Sequence, residues 1–203
     1  MDKKKSIIFI THYTELYGAN RSLLPLLQES IKQGRRTLLL APKEGAITLE
    51  ARRIGVSVKI SAIPWWTSTR EKKKALTVGG AIQFLRLKKR LVKQYLSYFR
   101  EAKKLSDQLL DWKGGIIYTN SSVTPFGHML AKYLSCKHIW HIRELMELHY
   151  SKKYDLGKWT TALLIRRSST VICVSHFVVK YMFNSRKKNI FVIYEENKRL
   201  GYY

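Results

Sequence analysis

Apolar residues along the chain fall into short β-branched runs separated by stretches of helical spacing. Ser6 to Ile10 is a compact apolar run, Arg21 to Gln33 carries leucines at helical steps and stops at Gly34, and Arg36 to Ala41 is apolar again up to Pro42. That pattern predicts strand, helix, strand. It continues with a short helix over Glu44 to Arg53 ended by Gly55, a strand over Val56 to Ile60, and a loop opened by Pro64. Further strands are predicted at Gly115 to Thr119, Lys137 to His141, Thr170 to Val174 and Ile190 to Tyr194. Helices are predicted at Pro125 to Leu134, Trp159 to Arg167 and Phe177 to Met182. Strands joined through helices run parallel with right-handed crossovers. The expected fold class is therefore α/β, a doubly wound, mostly parallel, Rossmann-like sheet of about seven strands with helices on both faces.

Between Trp65 and Trp112 the alternation stops and no strand signal is present. Ala81, Phe84, Leu85, Leu91, Val92, Tyr95 and Phe99 recur mainly at steps of three, four and seven, which predicts one long amphipathic helix. Twelve Lys or Arg against two acidic residues lie between Arg70 and Lys104, so the helix is also basic. Lys88, Lys89, Arg90 and Lys93 are candidates for contact with an anionic membrane surface, because a basic face beside an apolar one suits an interfacial helix. The alternative is a solvated helix whose apolar stripe packs on the sheet.

The whole chain is basic too. Its 203 residues carry 38 Lys plus Arg against 14 Asp plus Glu, a formal charge of +24 that favours nucleic acid, anionic lipid or phosphorylated ligands. Helix-turn-helix, RNP, KH and zinc-finger signatures are all missing from the sequence, so no specific nucleic-acid partner is expected. A hydrophobic fraction of 45% excludes wholesale disorder. The apolar run at Ser6 to Ile10 is too short for a signal-peptide core, and no run approaches the roughly 18 residues of a membrane span. Cys136 and Cys173 sit in apolar contexts as buried thiols, which fits a reducing compartment. The expectation is a cytoplasmic chain, free or peripheral on the inner face of the cytoplasmic membrane.

In open parallel sheets ligands bind beyond the carboxyl ends of the strands. The residues there are Thr11, His12 and the loop to Gly18, then Asn120, Ser121 and Ser122, then His141, Arg143 and Glu144, then Ser175 and His176. Gly18 permits positive φ or close approach of a ligand; it could equally serve only a tight turn. His141, Arg143 and Glu144 offer donors and acceptors for hydroxyls and a fork for phosphate, or else one buried histidine and two surface charges. The sequence contains neither a zinc-spaced His/Cys set nor a G-x-S-x-G elbow, and the first loop does not match G-x-G-x-x-G. Hydrolase, metalloenzyme and dinucleotide-dependent dehydrogenase readings are thereby disfavoured.

Several segments in order resemble a known family: "IIFITHYTELYGANRSLLPLL", "GRRTLLLAPKEG", "EARRIGVSVKI", "IIYTNSSVTPFGHMLAKYL", "HIWHIRE", "SSTVICVSHFVVKYM" and "KNIFVIY". Together, from Ser6 to Tyr194, they resemble the N-terminal, acceptor-side domain of retaining glycosyltransferases of the GT-B fold, group 1 or family 4. The resemblance implies transfer of a sugar from a nucleotide-sugar donor to a glycan or lipid-linked acceptor, in surface polysaccharide or lipid-glycan assembly, with no metal or other cofactor. It implies that His141 is the catalytic histidine beside the transferred sugar. It also implies that Gly18, Asn20, Asn120, Arg143, Glu144 and Ser175 line the substrate cleft. Where the family has two adjacent glycines this chain has Tyr17 and Gly18, and Asn20 stands where an acidic residue often follows.

On this reading 1–194 is the Rossmann-like domain with the basic helix inserted at about 65–112, and 195–203 is a tail. The family's second, donor-binding domain does not follow Tyr194, so the chain is expected to be inactive by itself. A non-catalytic acceptor-binding partner subunit and, less favoured, a nucleic-acid binder are the competing expectations.

Overall fold

The computed structural model describes residues 6–69, 78–185 and 188–194, without the side chains of 78–88 and 90. In chain order the elements are β1 (Ser6–Ile10), α1 (Gly18–Lys32), β2 (Arg36–Ala41), α2 (Ala46–Arg53), β3 (Ser57–Ile60), β4 (Thr67–Thr69) and α3 (Val78–Asp107). They continue with β5 (Ile116–Thr119), α4 (Phe126–Tyr133), β6 (Lys137–Ile142), α5 (Met146–His149), β7 (Lys152–Tyr154), α6 (Lys158–Arg166), β8 (Thr170–Cys173), α7 (His176–Phe183) and β9 (Ile190–Val192). Seven strands form one parallel sheet in the order β3-β2-β1-β5-β6-β8-β9. The doubly wound class read from the sequence is the class observed.

Alternation along β1 shows how the sheet is covered. Ile7 and Phe9 face a core with Leu23 and Leu27 of α1 and Ile47 and Ala51 of α2. Ile8 and Ile10 face the opposite core, where α3 and α4 contribute Tyr98, Ala102, Leu105, Phe126 and Leu130. A further cluster on that side packs Trp140 and Ile142 of β6 against Ala162 and Ile165 of α6 and Val178 and Met182 of α7.

Strand order reverses beside β1. From β1 the chain builds outward to β2 and β3, and α3 then carries it back to lay β5 on the other side of β1. Loops leaving β1 and β5 therefore diverge to opposite faces and open a crevice at their carboxyl ends. Backbone pairing persists to the lip of this crevice: the Asn120 N–H donates to the Ile10 carbonyl at 2.9 Å, and the Thr11 N–H to the Leu40 carbonyl at 3.1 Å.

Three features depart from the sequence reading. Between Trp65 and Trp112, where no strand was expected, β4 pairs antiparallel with β7, Thr67 opposite Tyr154 and Thr69 opposite Lys152. The segments "TST" and "KKY" carry no apolar alternation, so periodicity could not reveal them. Next, α1 starts at Gly18 itself rather than after it. Finally, the buried face of α3 is Tyr98, Ala102 and Leu105 with Tyr95 beside them, whereas Val92, Leu96 and Phe99 are 60%, 53% and 41% exposed. At 3.6 residues per turn these are two apolar stripes roughly 100° apart, and the predicted single stripe had merged them.

Candidate functional site

The floor of the crevice is built from the loop that follows β1. Thr11 Oγ1 donates to Asn20 Oδ1 at 2.6 Å, and Asn20 Nδ2 donates to the carbonyls of Tyr13 at 3.0 Å and Glu15 at 2.8 Å. Asn20 is fully buried by these bonds. It staples the loop into shape and, contrary to the sequence expectation, is not among the residues that line the cavity described below. Gly18 is the first residue of α1, its φ is not positive, and a β-carbon built there would meet nothing within 4 Å. No turn or protein contact requires a glycine at this position; its open side faces the cavity described below.

Past β5, the Ser121–Ser122 backbone is fixed by two indoles. Trp140 Nε1 donates to the Ser121 carbonyl at 2.6 Å and Trp66 Nε1 to the Ser122 carbonyl at 2.7 Å, and the two rings stack 5.6 Å apart. Thus fixed, Ser121 Oγ accepts from the Val123 N–H at 3.1 Å and so gives its own proton to Glu144 Oε1. The Ser122 N–H approaches the same oxygen at 3.4 Å. Both donors lie on Oε1 of this buried carboxyl, and Glu144 is among the residues that line the cavity described below. Burial raises the Glu144 pKa, against the opposing pull of the Ser121 hydroxyl, the Ser122 N–H and the Arg143 charge.

Asn120 is buried as well. Its Nδ2 donates to the Ala19 carbonyl at 2.9 Å and its Oδ1 accepts from Arg143 Nε at 2.7 Å. It therefore orients Arg143, ties that arginine to the first turn of α1, and is not among the residues that line the cavity.

His141 is placed differently from the expectation as well. Trp140 and Ile142 of β6 face the α6 and α7 core, so His141 points to the other face and meets Tyr118, whose hydroxyl bonds its Nδ1. Tyr118 also bonds Arg143, which can only donate, so the tyrosine hydroxyl gives its proton to His141 Nδ1 and the imidazole carries hydrogen on Nε2. That Nε2 is buried and has no partner among the described residues. Burial, then the nearby Arg143 charge, hold the His141 pKa down at about 3, so the ring is neutral. His141 thus backs Arg143 through Tyr118 and does not line the cavity.

Above the crevice lies a cavity of about 420 Å³ whose walls include His12, Tyr13, Tyr17 and Gly18 on one side and Arg143, Glu144, Tyr150 and Lys152 on the other, with Trp65 between them. The β4–β7 ribbon delivers Trp65 and Lys152, and Lys152 Nζ stands 4.4 Å from the centre of the Trp65 ring. Trp65 Nε1 donates to the His12 carbonyl at 3.3 Å and closes the ribbon onto the β1 loop. His12 is held neutral, its pKa lowered to about 3 by burial and then by the Lys152 charge.

Strand-end reasoning could find Gly18, Arg143, Glu144 and His12. It missed Trp65, Tyr150 and Lys152, which depend on an antiparallel pair between segments far apart in sequence.

Two groups of expected residues lie elsewhere. Ser175 caps α7, its Oγ accepting from the Val178 N–H at 3.3 Å, and does not line the cavity. Lys89 and Lys93 are exposed on α3, while the side chains of Lys88 and Arg90 lie outside the described residues, as do 195–203. Among the described residues no group of His, Cys, Asp or Glu could hold a metal ion, and no helix is long and apolar enough to cross a membrane.

No protein-family model matches the chain, and no curated protein matches its sequence. Solved structures do match its fold. The Anabaena protein Alr3699/HepE, in complex with UDP and glucose, superposes with a TM-score of 0.61 at 15% identity, over 93% of this chain and 44% of that one. The same protein in complex with UDP-glucose gives 0.61 at 15% identity over 93% and 43%. A glycosyltransferase from Rickettsia africae gives 0.59 at 12% identity over 94% and 43%. The chain therefore shares the fold of part of these proteins and spans less than half of their length.

Proposed function

We propose that this chain is the acceptor-side domain of a GT-B glycosyltransferase, which presents a glycan or lipid-linked acceptor to a nucleotide-sugar held by a second lobe. The reading rests on the cavity at the reversal of strand order. It is walled by aromatic rings suited to a pyranose face, and its lining includes a carboxyl, Glu144, with one oxygen fixed by Ser121. The fold likeness to HepE, which binds UDP and glucose, supports the same reading. Glu144 Oε2 accepts an acceptor hydroxyl, Arg143 is aimed beside it by Asn120, and Tyr17 and Trp65 cover the ring. Enclosure of both substrates needs the second lobe, so the purified chain transfers no sugar on its own. Detectable transfer from a nucleotide-sugar would overturn that point.

The test of the site is sugar binding. In Glu144→Gln the amide oxygen stays with the Ser121 hydroxyl and the NH2 group faces the cavity, which turns an acceptor into a donor. Methyl hexosides followed by ligand-observed NMR are expected to bind the wild type and to lose about tenfold in affinity in Glu144→Gln, roughly the worth of one hydrogen bond to a charged group. Unchanged affinity would remove Glu144 from the site.

The two stripes of α3 support a membrane-surface role for the same domain. Val92, Leu96 and Phe99 form an exposed apolar row bordered by Lys89, Lys93, Arg100 and Lys103, while the other stripe is already buried. Sedimentation with vesicles containing a third anionic lipid is expected to pull down the wild type, and Leu96→Asp with Phe99→Asp to abolish it. Equal sedimentation with neutral vesicles would sink this role.

A further inference from the structure

The cavity wall is unevenly charged. Lys152 forms no ion pair among the described residues, whose four salt bridges all lie elsewhere. Instead its ammonium stands over Trp65, at the edge of a space that Arg143 enters from β6. Opposing these two cations is a single carboxyl, Glu144, which already takes the Ser121 hydroxyl and the Ser122 N–H. Two buried histidines feel these cations, His12 through Lys152 and His141 through Arg143. Among the described residues no acidic side chain other than Glu144 lines the cavity.

Aromatic surface accompanies the charge. Tyr17 and Tyr150 are mostly exposed at the mouth, and Trp65 lies beneath Lys152. A flat ring with an anionic substituent would satisfy both features at once, stacking on the aromatics while its anion meets the cations. A neutral sugar would leave Lys152 uncompensated. The overall +24 would also draw an anionic ligand toward the protein from a distance.

We propose that the cavity takes a sugar bearing its own anion, a phosphate ester or a uronate carboxylate, with the anion held by Lys152 and Arg143 and the ring against Trp65. This rests on the acceptor reading above and narrows it to one class of acceptor. Lys152 is then a specificity residue, whose charge selects among sugars that Glu144 and the aromatic walls hold alike.

Calorimetric titration in low salt with glucose-1-phosphate, methyl glucuronide and methyl glucoside tests the assignment. One or both anionic sugars are expected to bind about tenfold tighter than the neutral one, the worth of one charge-assisted contact. Lys152→Gln should remove that advantage, so that the anionic sugars bind no tighter than methyl glucoside. Preference for the phosphate over the uronate, or the reverse, identifies which anion the site reads. Lys137→Gln, an exposed lysine at the start of β6, controls for the overall charge of the chain. Equal loss in Lys137→Gln and Lys152→Gln would overturn the proposal, as would full competition by inorganic phosphate alone. Equal affinity for all three sugars overturns the anion assignment and leaves the acceptor reading standing. Binding of none overturns both.

Discussion

Lowering the pH from 7.5 to 4.5 is expected to remove several kcal/mol of stability from the folded chain. His138 lies in the interior between Thr119 Oγ1 at 2.8 Å and Ser168 Oγ at 2.9 Å, and His141 is bonded to Tyr118. Burial lowers both pKa values to about 3, with His128 adding to the effect at His138 and Arg143 at His141. In the unfolded chain each ring takes up a proton as the pH drops below about 6.5, whereas the folded chain resists until near its own lower value. The stability from these two residues is therefore whole above about pH 6.5 and is lost progressively below it, at about 1.4 kcal/mol per pH unit for each ring. Over two units that amounts to about 5 kcal/mol for the pair. Glu144 works in the opposite direction, because burial raises its pKa and protonation then favours the folded form. Urea denaturation at pH 7.5, 5.5 and 4.5 measures the net slope. His12 and His128 are lowered by burial in the same way and add to the slope, so His138→Gln, which can keep both hydrogen bonds without titrating, should remove about a quarter of the histidine part. A wild-type midpoint unchanged between pH 7.5 and 4.5 would contradict this account.

Gly127→Ala is expected to be strongly destabilising. A β-carbon at Gly127, on α4, would lie 1.9 Å from Thr119 Oγ1 and 3.2 Å from both His138 Nε2 and Ile10 Cδ1. None of these neighbours is the loose end of a flexible chain: Thr119 is buried on β5 and bonded to His138. Either the threonine leaves its bond or α4 lifts off the sheet. Overpacking costs about 1–3 kcal/mol and a broken buried hydrogen bond about as much again, so a loss near 4 kcal/mol is expected. For a chain of this size that lowers the melting temperature by roughly 10 °C. Gly18→Ala, with open space around it, serves as the control and should change stability by no more than about 0.5 kcal/mol. Equal melting temperatures for the two variants would refute the close approach of α4.

Much of the fold was legible because a parallel sheet buries both faces of each strand, so β1, β2 and β5 appear as short apolar runs. The crevice followed from strand order, and with it the places of Arg143 and Glu144. Legibility ended where one residue type serves two purposes. Asn20 and Asn120 stand at strand and helix ends like ligand contacts, yet one staples a loop and the other aims an arginine. Ser175 follows a strand and caps the next helix. His141 is one residue out of phase with Trp140, so the pleat sends it to Tyr118. Gly127 carried no signal at all, since close approach of a helix to a strand is a property of the packed pair.

The β4–β7 ribbon pairs only with itself and hangs over the crevice from Trp66, which is buried, while Trp65 and Lys152 line the cavity. No strand of the main sheet borrows a backbone bond from it. Residues on its cavity side can consequently be exchanged without disturbing the register of the seven strands. Selection can therefore revise ligand preference here at almost no cost in foldability, and it is the natural place to graft new specificity.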